Sequence, residues 1–137
     1  MIKNELWKKI TPKKQKGKIT TFKKRKPADS QLLSKIKNLS KKEPLWAEPI
    51  NKIATIKFLM GDYLGSVNDI QLTLQLEPRH FGAISGLVQI NMFFKNYSEA
   101  LKNLDYVILI NPFINIQKIR PDILKLIKKS SIWHFYF

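Results

Sequence analysis

Pro44, Pro78 and Pro112 stand 34 residues apart, and the chain between them follows one plan. Tyr63 and Tyr97 keep the same spacing. So do Leu33, Val67 and Leu101; Ile36, Ile70 and Leu104; and the small residues Ser66 and Ala100. Agreement of prolines, tyrosines, branched apolar residues and small residues on one shift defines a repeat. A period of this length belongs to stacked supersecondary units, each too small to bury its own apolar face.

The segments inside the period read as helices. Leu32, Leu33, Ile36 and Leu39 recur at helical spacing in 29–44, with Asp29 or Ser30 placed to cap the first turn. Ile50, Ile53, Ala54 and Phe58 form the next apolar stripe, which stops at Gly61–Asp62. Pro49 falls in its first turn, where a missing N–H costs little. Val67, Ile70 and Leu74 lead on to the stop at Pro78. Segments 82–94 and 97–110 repeat the pair, and a last apolar-periodic segment covers 114–129. No segment shows strand alternation, so the expected class is all-α.

A 34-residue helix–turn–helix unit closed by proline resembles the tetratricopeptide repeat. With Pro78 as the closing proline, 47–80 is one repeat. Ala54 then takes the small position of its first helix, "GDY" (61–63) the turn, and Ser66, Ile70 and Thr73 the second helix. The next repeat is 81–114, with Leu87, Val88, "KNY" (95–97), Ala100, Leu104 and Val107; 29–44 matches a second helix alone. More narrowly, "WAEPINKIAT", "LMGDYLGSVNDI" and "LEPRHFGAISGL" are similar to alphaproteobacterial members of that family. The resemblance implies a short right-handed solenoid of about two and a half repeats, with 114–129 as a C-terminal capping helix. In it Ile116, Ile119, Ile123 and Leu126 or Ile127 cover the last repeat, with Lys125, Lys128 and Lys129 outward.

Departures from the family pattern point to looser packing. Ile50 and Ile84 replace a bulky aromatic, Lys57 and Asn91 an apolar residue, and Thr73 and Val107 a small one. Buried polar or branched groups at such places weaken helix packing.

Charge is segregated along the chain. Residues 1–44 carry 15 Lys/Arg against 3 Asp/Glu, 45–112 carry 5 against 6, and 113–137 carry 5 against 1. Residues 1–28, broken by Pro12, Gly17 and Pro27, are expected to be a basic, disordered arm able to contact a polyanion. A compositional origin is also open: 22 lysines, 18 isoleucines and 9 asparagines, against 3 arginines, are what A/T-rich codons produce. The tail 130–137, "SSIWHFYF", has four aromatics in its last five residues. It is expected to fold onto the cap or into the groove. With no cysteine, disulfides and thiolate metal sites are excluded. The amino-terminal residues lack the apolar run of a secretory signal, and no stretch is long enough to span a membrane. A cytoplasmic location is expected, with non-classical secretion as the alternative.

Arg79–His80, inside "EPRHFGA", is the one place where chemistry suggests itself. A catalytic histidine needs an acid, a nucleophile or a co-ligand beside it. His134 is far off in sequence, no HxxxH or HxxE spacing occurs, and Gly82 and Gly86 fall on a helix rather than in a phosphate loop. No catalytic residue, metal ligand or cofactor is expected, and a small-molecule substrate is disfavoured. Arg79 and His80 read as the link between repeats.

The resemblance implies instead a concave groove lined by first helices. The positions that face it are Glu48, Asn51, Thr55, Phe58 and Leu59 in one repeat, and Gly82, Ser85, Gln89, Met92 and Phe93 in the next. Their amides, hydroxyls and apolar tips suit a peptide or helix of a protein partner; packing of Phe58, Met92 and Phe93 into the core is the alternative. The lysine–asparagine clamp of chaperone-binding repeats is replaced by Asn51, Thr55 and Gly86, which disfavours a C-terminal carboxylate. A non-catalytic protein-interaction module is the expected function. A nucleic-acid or ribosome-associated factor using the basic arm, and a truncated repeat remnant of reduced function, are the alternatives.

Overall fold

The computed structural model describes residues 27–136. Among them are α1 (Pro27–Lys42), α2 (Ala47–Leu59), α3 (Tyr63–Leu76), α4 (Phe81–Phe93), α5 (Tyr97–Ile110), a 3-10 segment (Asn115–Ile119) and α6 (Arg120–Tyr136). No described residue is in a strand. The fold is all-α, a short array of helical hairpins. Both ends of α2 and α3 recur 34 residues later in α4 and α5. The basic arm lies outside the described residues, apart from Pro27 and Ala28 at the start of α1.

The chain divides at Ala83/Ile84 into two units. In the first, α2 packs against both α1 and α3. Its buried apolar residues include Ala47, Ile50, Ile53, Ala54, Tyr63, Val67, Ile70 and Ala83, and Ser66 and Thr73 are buried with them. Ser66 is small enough to sit against α2 and donates its hydroxyl to the Ala54 carbonyl at 2.7 Å. That bond satisfies a buried polar group and ties the two helices together. Thr73, also buried, donates to the Asp69 carbonyl of its own helix at 2.8 Å. Asp29 and Ser30 lie inside α1 rather than at its cap, because the helix already runs through Pro27, whose fixed φ suits a first turn.

In the second unit, Ile84, Leu87, Val88, Ile90, Ala100, Leu104, Val107 and Ile123 are buried. Here the cap differs from one continuous helix over 114–129. Pro121 has no N–H and its ring would meet the carbonyl four residues back, so 115–119 closes as a 3-10 segment and α6 restarts at Arg120. Both pack on α5. Ile123 is fully buried, while Ile116, Ile119, Leu126 and Ile127 are half-buried and Lys125, Lys128 and Lys129 are exposed. Arg120 clasps Asp105 of α5 with Nε at 2.8 Å and Nη2 at 3.4 Å; this contact raises the guanidinium pKa further. The backbone of 130–136 continues α6 instead of turning back as a tail. The side chains of Trp133 through Phe137 lie outside the described ones.

Both hairpin turns use the same hydrogen bonds. Gly61 N–H donates to Phe58 O (3.0 Å) and Asp62 N–H to Lys57 O (2.9 Å); Lys95 N–H donates to Met92 O (3.0 Å) and Asn96 N–H to Asn91 O (2.7 Å). This is the Schellman closure, which needs a left-handed residue after the helix. Gly61 provides it at φ 85°, but the second turn places Lys95 there at φ 59°. A side chain in that region costs roughly 1–2 kcal/mol, and glycine's extra freedom in the unfolded chain returns roughly 0.5–1. Lys95→Gly is therefore expected to stabilise the protein by about 0.5–1 kcal/mol in denaturant unfolding. A loss of stability would contradict the assigned turn.

Candidate functional site at the first repeat junction

The link Glu77–His80 leaves α3 and opens α4. Glu77 ends α3 in an extended conformation, and its N–H still bonds Thr73 O. His80 N–H then donates to Glu77 O at 3.0 Å, closing a tight turn around Pro78. This turn swings the imidazole inward, and His80 is 8% exposed. Its Nδ1 accepts the Ala83 N–H at 3.1 Å, capping the first turn of α4. Nε2 lies 2.9 Å from Glu48 Oε2 on α2. An Nδ1 that accepts carries no proton, so Nε2 holds it and donates to the carboxylate.

Both ring nitrogens are thus committed, one to the backbone and one to Glu48. Neither is available to take a proton from a substrate, so the histidine–carboxylate pair works as a fastener between helices. Among the described residues, no group of three or more His, Asp or Glu side chains is placed to hold a metal ion.

A pocket of about 270 Å³ opens beside this pair, lined by Glu48, Asn51, Glu77, His80, Phe81 and Gly82. Gly82 keeps its floor clear. A Cβ there would stand 3.1 Å from Asn51 Nδ2 and 3.1 Å from His80 Cε1, tighter than ordinary contact. The Phe81 ring runs near-parallel to the imidazole, with centroids 6.4 Å apart and planes at 26°. Half of Phe81 remains exposed. Glu48 Oε1 faces the exposed Lys52 ammonium at 3.6 Å, a surface contact of little energy.

No family model matches the chain. A TPR repeat-containing protein of Rhizobium etli is 50% identical over 48 residues, which are 35% of this chain. This chain resembles a tetratricopeptide repeat protein. The matched stretch covers 24% of that relative's length. In the tetratricopeptide frame His80 is the last residue of its repeat, and the residue at that place one repeat earlier is Trp46. Trp46 precedes α2 and makes no side-chain cap.

Of the residues expected to face a groove, Glu48, Asn51 and Gly82 come together with His80 in the junction pocket. Thr55 is exposed one turn further along α2, its hydroxyl donated to Asn51 O at 3.1 Å. Phe58 is half-buried and sets its ring edge against Tyr63, 5.4 Å between centroids. In the second unit Ser85 and Met92 are half-buried and Gln89 is exposed. Phe93 is partly exposed, with its ring across Phe94 at 5.2 Å. Arg79 points to solvent and is not among the residues that line the pocket. Glu77 and Phe81 were not expected as site residues. Charge and ring flank His80 in sequence, but only the turn at Pro78 brings them beside Glu48, which lies some thirty positions back.

Proposed function

We propose that the chain is a non-catalytic protein-interaction module that binds a peptide or helix of another protein along the first helices of its repeats. The observation carrying this reading is the repeat register itself, shared by helices, turns and buried residues and similar to a TPR repeat-containing protein. Glu48, Asn51, Thr55 and Phe58 of α2, with Ser85, Gln89, Met92 and Phe93 of α4, are the proposed contacts. Thr55 and Gln89 are exposed, so glutamate at either place leaves the hairpins intact. In-cell crosslinking of the full chain is expected to recover a protein through α2 and α4, and Thr55→Glu with Gln89→Glu to reduce that crosslink at least tenfold. An unchanged crosslink would remove the groove assignment.

The excess of 15 basic over 3 acidic residues in 1–44 supports a second reading, contact with nucleic acid through the arm. In the same crosslinking experiment it predicts nucleic-acid adducts that disappear on deletion of 1–28.

A further inference from the structure

The junction pocket has a chemistry that the repeat architecture does not require. One repeat earlier, the places of Glu77, His80, Phe81 and Gly82 hold Glu43, Trp46, Ala47 and Glu48. Only the carboxylate at the first of them is shared, so a hairpin closes without the imidazole, the ring or the glycine. We infer that the pocket receives the guanidinium of an arginine side chain presented by the protein partner. This rests on the interaction-module reading and names the chemistry of one subsite within it.

Charge, size and wall material lead to the same ligand. Among the lining groups, Glu48 and Glu77 are carboxylates, and His80 is held in a tautomer with no free ring nitrogen. The pocket therefore offers acceptors and negative charge, and it repels a carboxylate or phosphate. At about 270 Å³ it falls below the roughly 300–1,000 Å³ of sites for drug-sized molecules, which suits one long side chain. Phe81, half exposed and aligned with the imidazole, forms a flat wall on which a planar cation stacks. The Asn51 side chain also lines the pocket, 3.1 Å from where a Cβ on Gly82 would stand. A fork of donors between two carboxylates against an aromatic face is the setting in which arginine outperforms lysine.

The test is an amide-resolved NMR titration of the full chain with N-acetyl-arginine amide. Parallel titrations use N-acetyl-lysine amide, N-acetyl-norleucine amide and N-acetylglutamate. The expected result is saturable shifts at Asn51, Gly82 and Ala83 with the arginine amide, at least threefold weaker binding of lysine, and none of the other two. Glu77→Gln removes one charge from an exposed residue and leaves the fold alone; it is expected to weaken arginine binding about threefold. Gly82→Ala narrows the floor and is expected to abolish it. Norleucine shifts equal to those of arginine, or no saturation at these amides, would overturn the assignment. If arginine fails while Gln89→Glu still removes the partner crosslink, the subsite falls and the module stands. If arginine binds while Gln89→Glu and Thr55→Glu change nothing, the groove falls instead.

Discussion

Ile123→Ala is expected to lower the unfolding free energy by about 2–4 kcal/mol. Ile123 is the only fully buried described side chain of α6, and truncation leaves a cavity between the cap and α5. Few other anchors compensate. Leu126 and Ile127 are half-buried, and the Arg120–Asp105 pair is almost half exposed on both sides, so it is screened by water and salt. A repeat array needs a terminal cover over its last apolar face, so the loss should appear first in α5 and α6. Hydrogen exchange resolved by residue, beside denaturant unfolding, is the measurement. A cost below about 1 kcal/mol would mean that α6 is not the cover of this unit.

The second large effect is expected at Lys57. Its ammonium lies 2.7 Å from Asp69 Oδ2, with side chains only 23% and 18% exposed. At that distance the ammonium is the charged partner that compensates Oδ2 in its half-buried place. Lys57→Met leaves a half-buried carboxylate without its cation, at an expected cost of about 2 kcal/mol. The chain contains its own alternative solution. One repeat later the same two places hold Asn91 and Asn103, whose amides donate to Leu87 O at 2.9 Å and Glu99 O at 2.8 Å. Asn91 also accepts from Asn96 Nδ2 at 3.0 Å. Each amide donates to a carbonyl of its own helix and does not depend on the other. The double change Lys57→Asn with Asp69→Asn is therefore expected to recover at least half of the loss. A double-mutant cycle by chemical denaturation measures the coupling, and additivity of the two single changes would show that the ion pair carries none.

These same residues mark where sequence reasoning stopped. Lys57, Asn91 and Thr73 pointed to looser packing, because side-chain type alone counts a polar group in an apolar place as a defect. The structure closes each by a partner: a carboxylate twelve residues on, a backbone carbonyl four back, an asparagine at the turn. The carbonyl bonds are local and legible in principle. The Lys57–Asp69 pair is not, since it depends on how α2 and α3 face each other.

His80 shows the same limit more sharply. Its place at a repeat boundary was readable from the period, and so was the absence of a catalytic partner nearby in sequence. Arg79 and His80 read alike from the sequence, as the link between repeats, yet Arg79 is exposed while His80 is buried against Glu48.

The sequence by itself determined the helices up to Ile110, their 34-residue register, the Gly61 turn and the apolar faces. Those follow from local propensity and from periodicity, which act over a few residues at a time. Tertiary structure alone decided which polar groups meet: His80 with Glu48, Lys57 with Asp69, and Glu77 and Phe81 around one pocket. Contacts of this kind depend on the separation and rotation of packed helices, and no short stretch of residues encodes either.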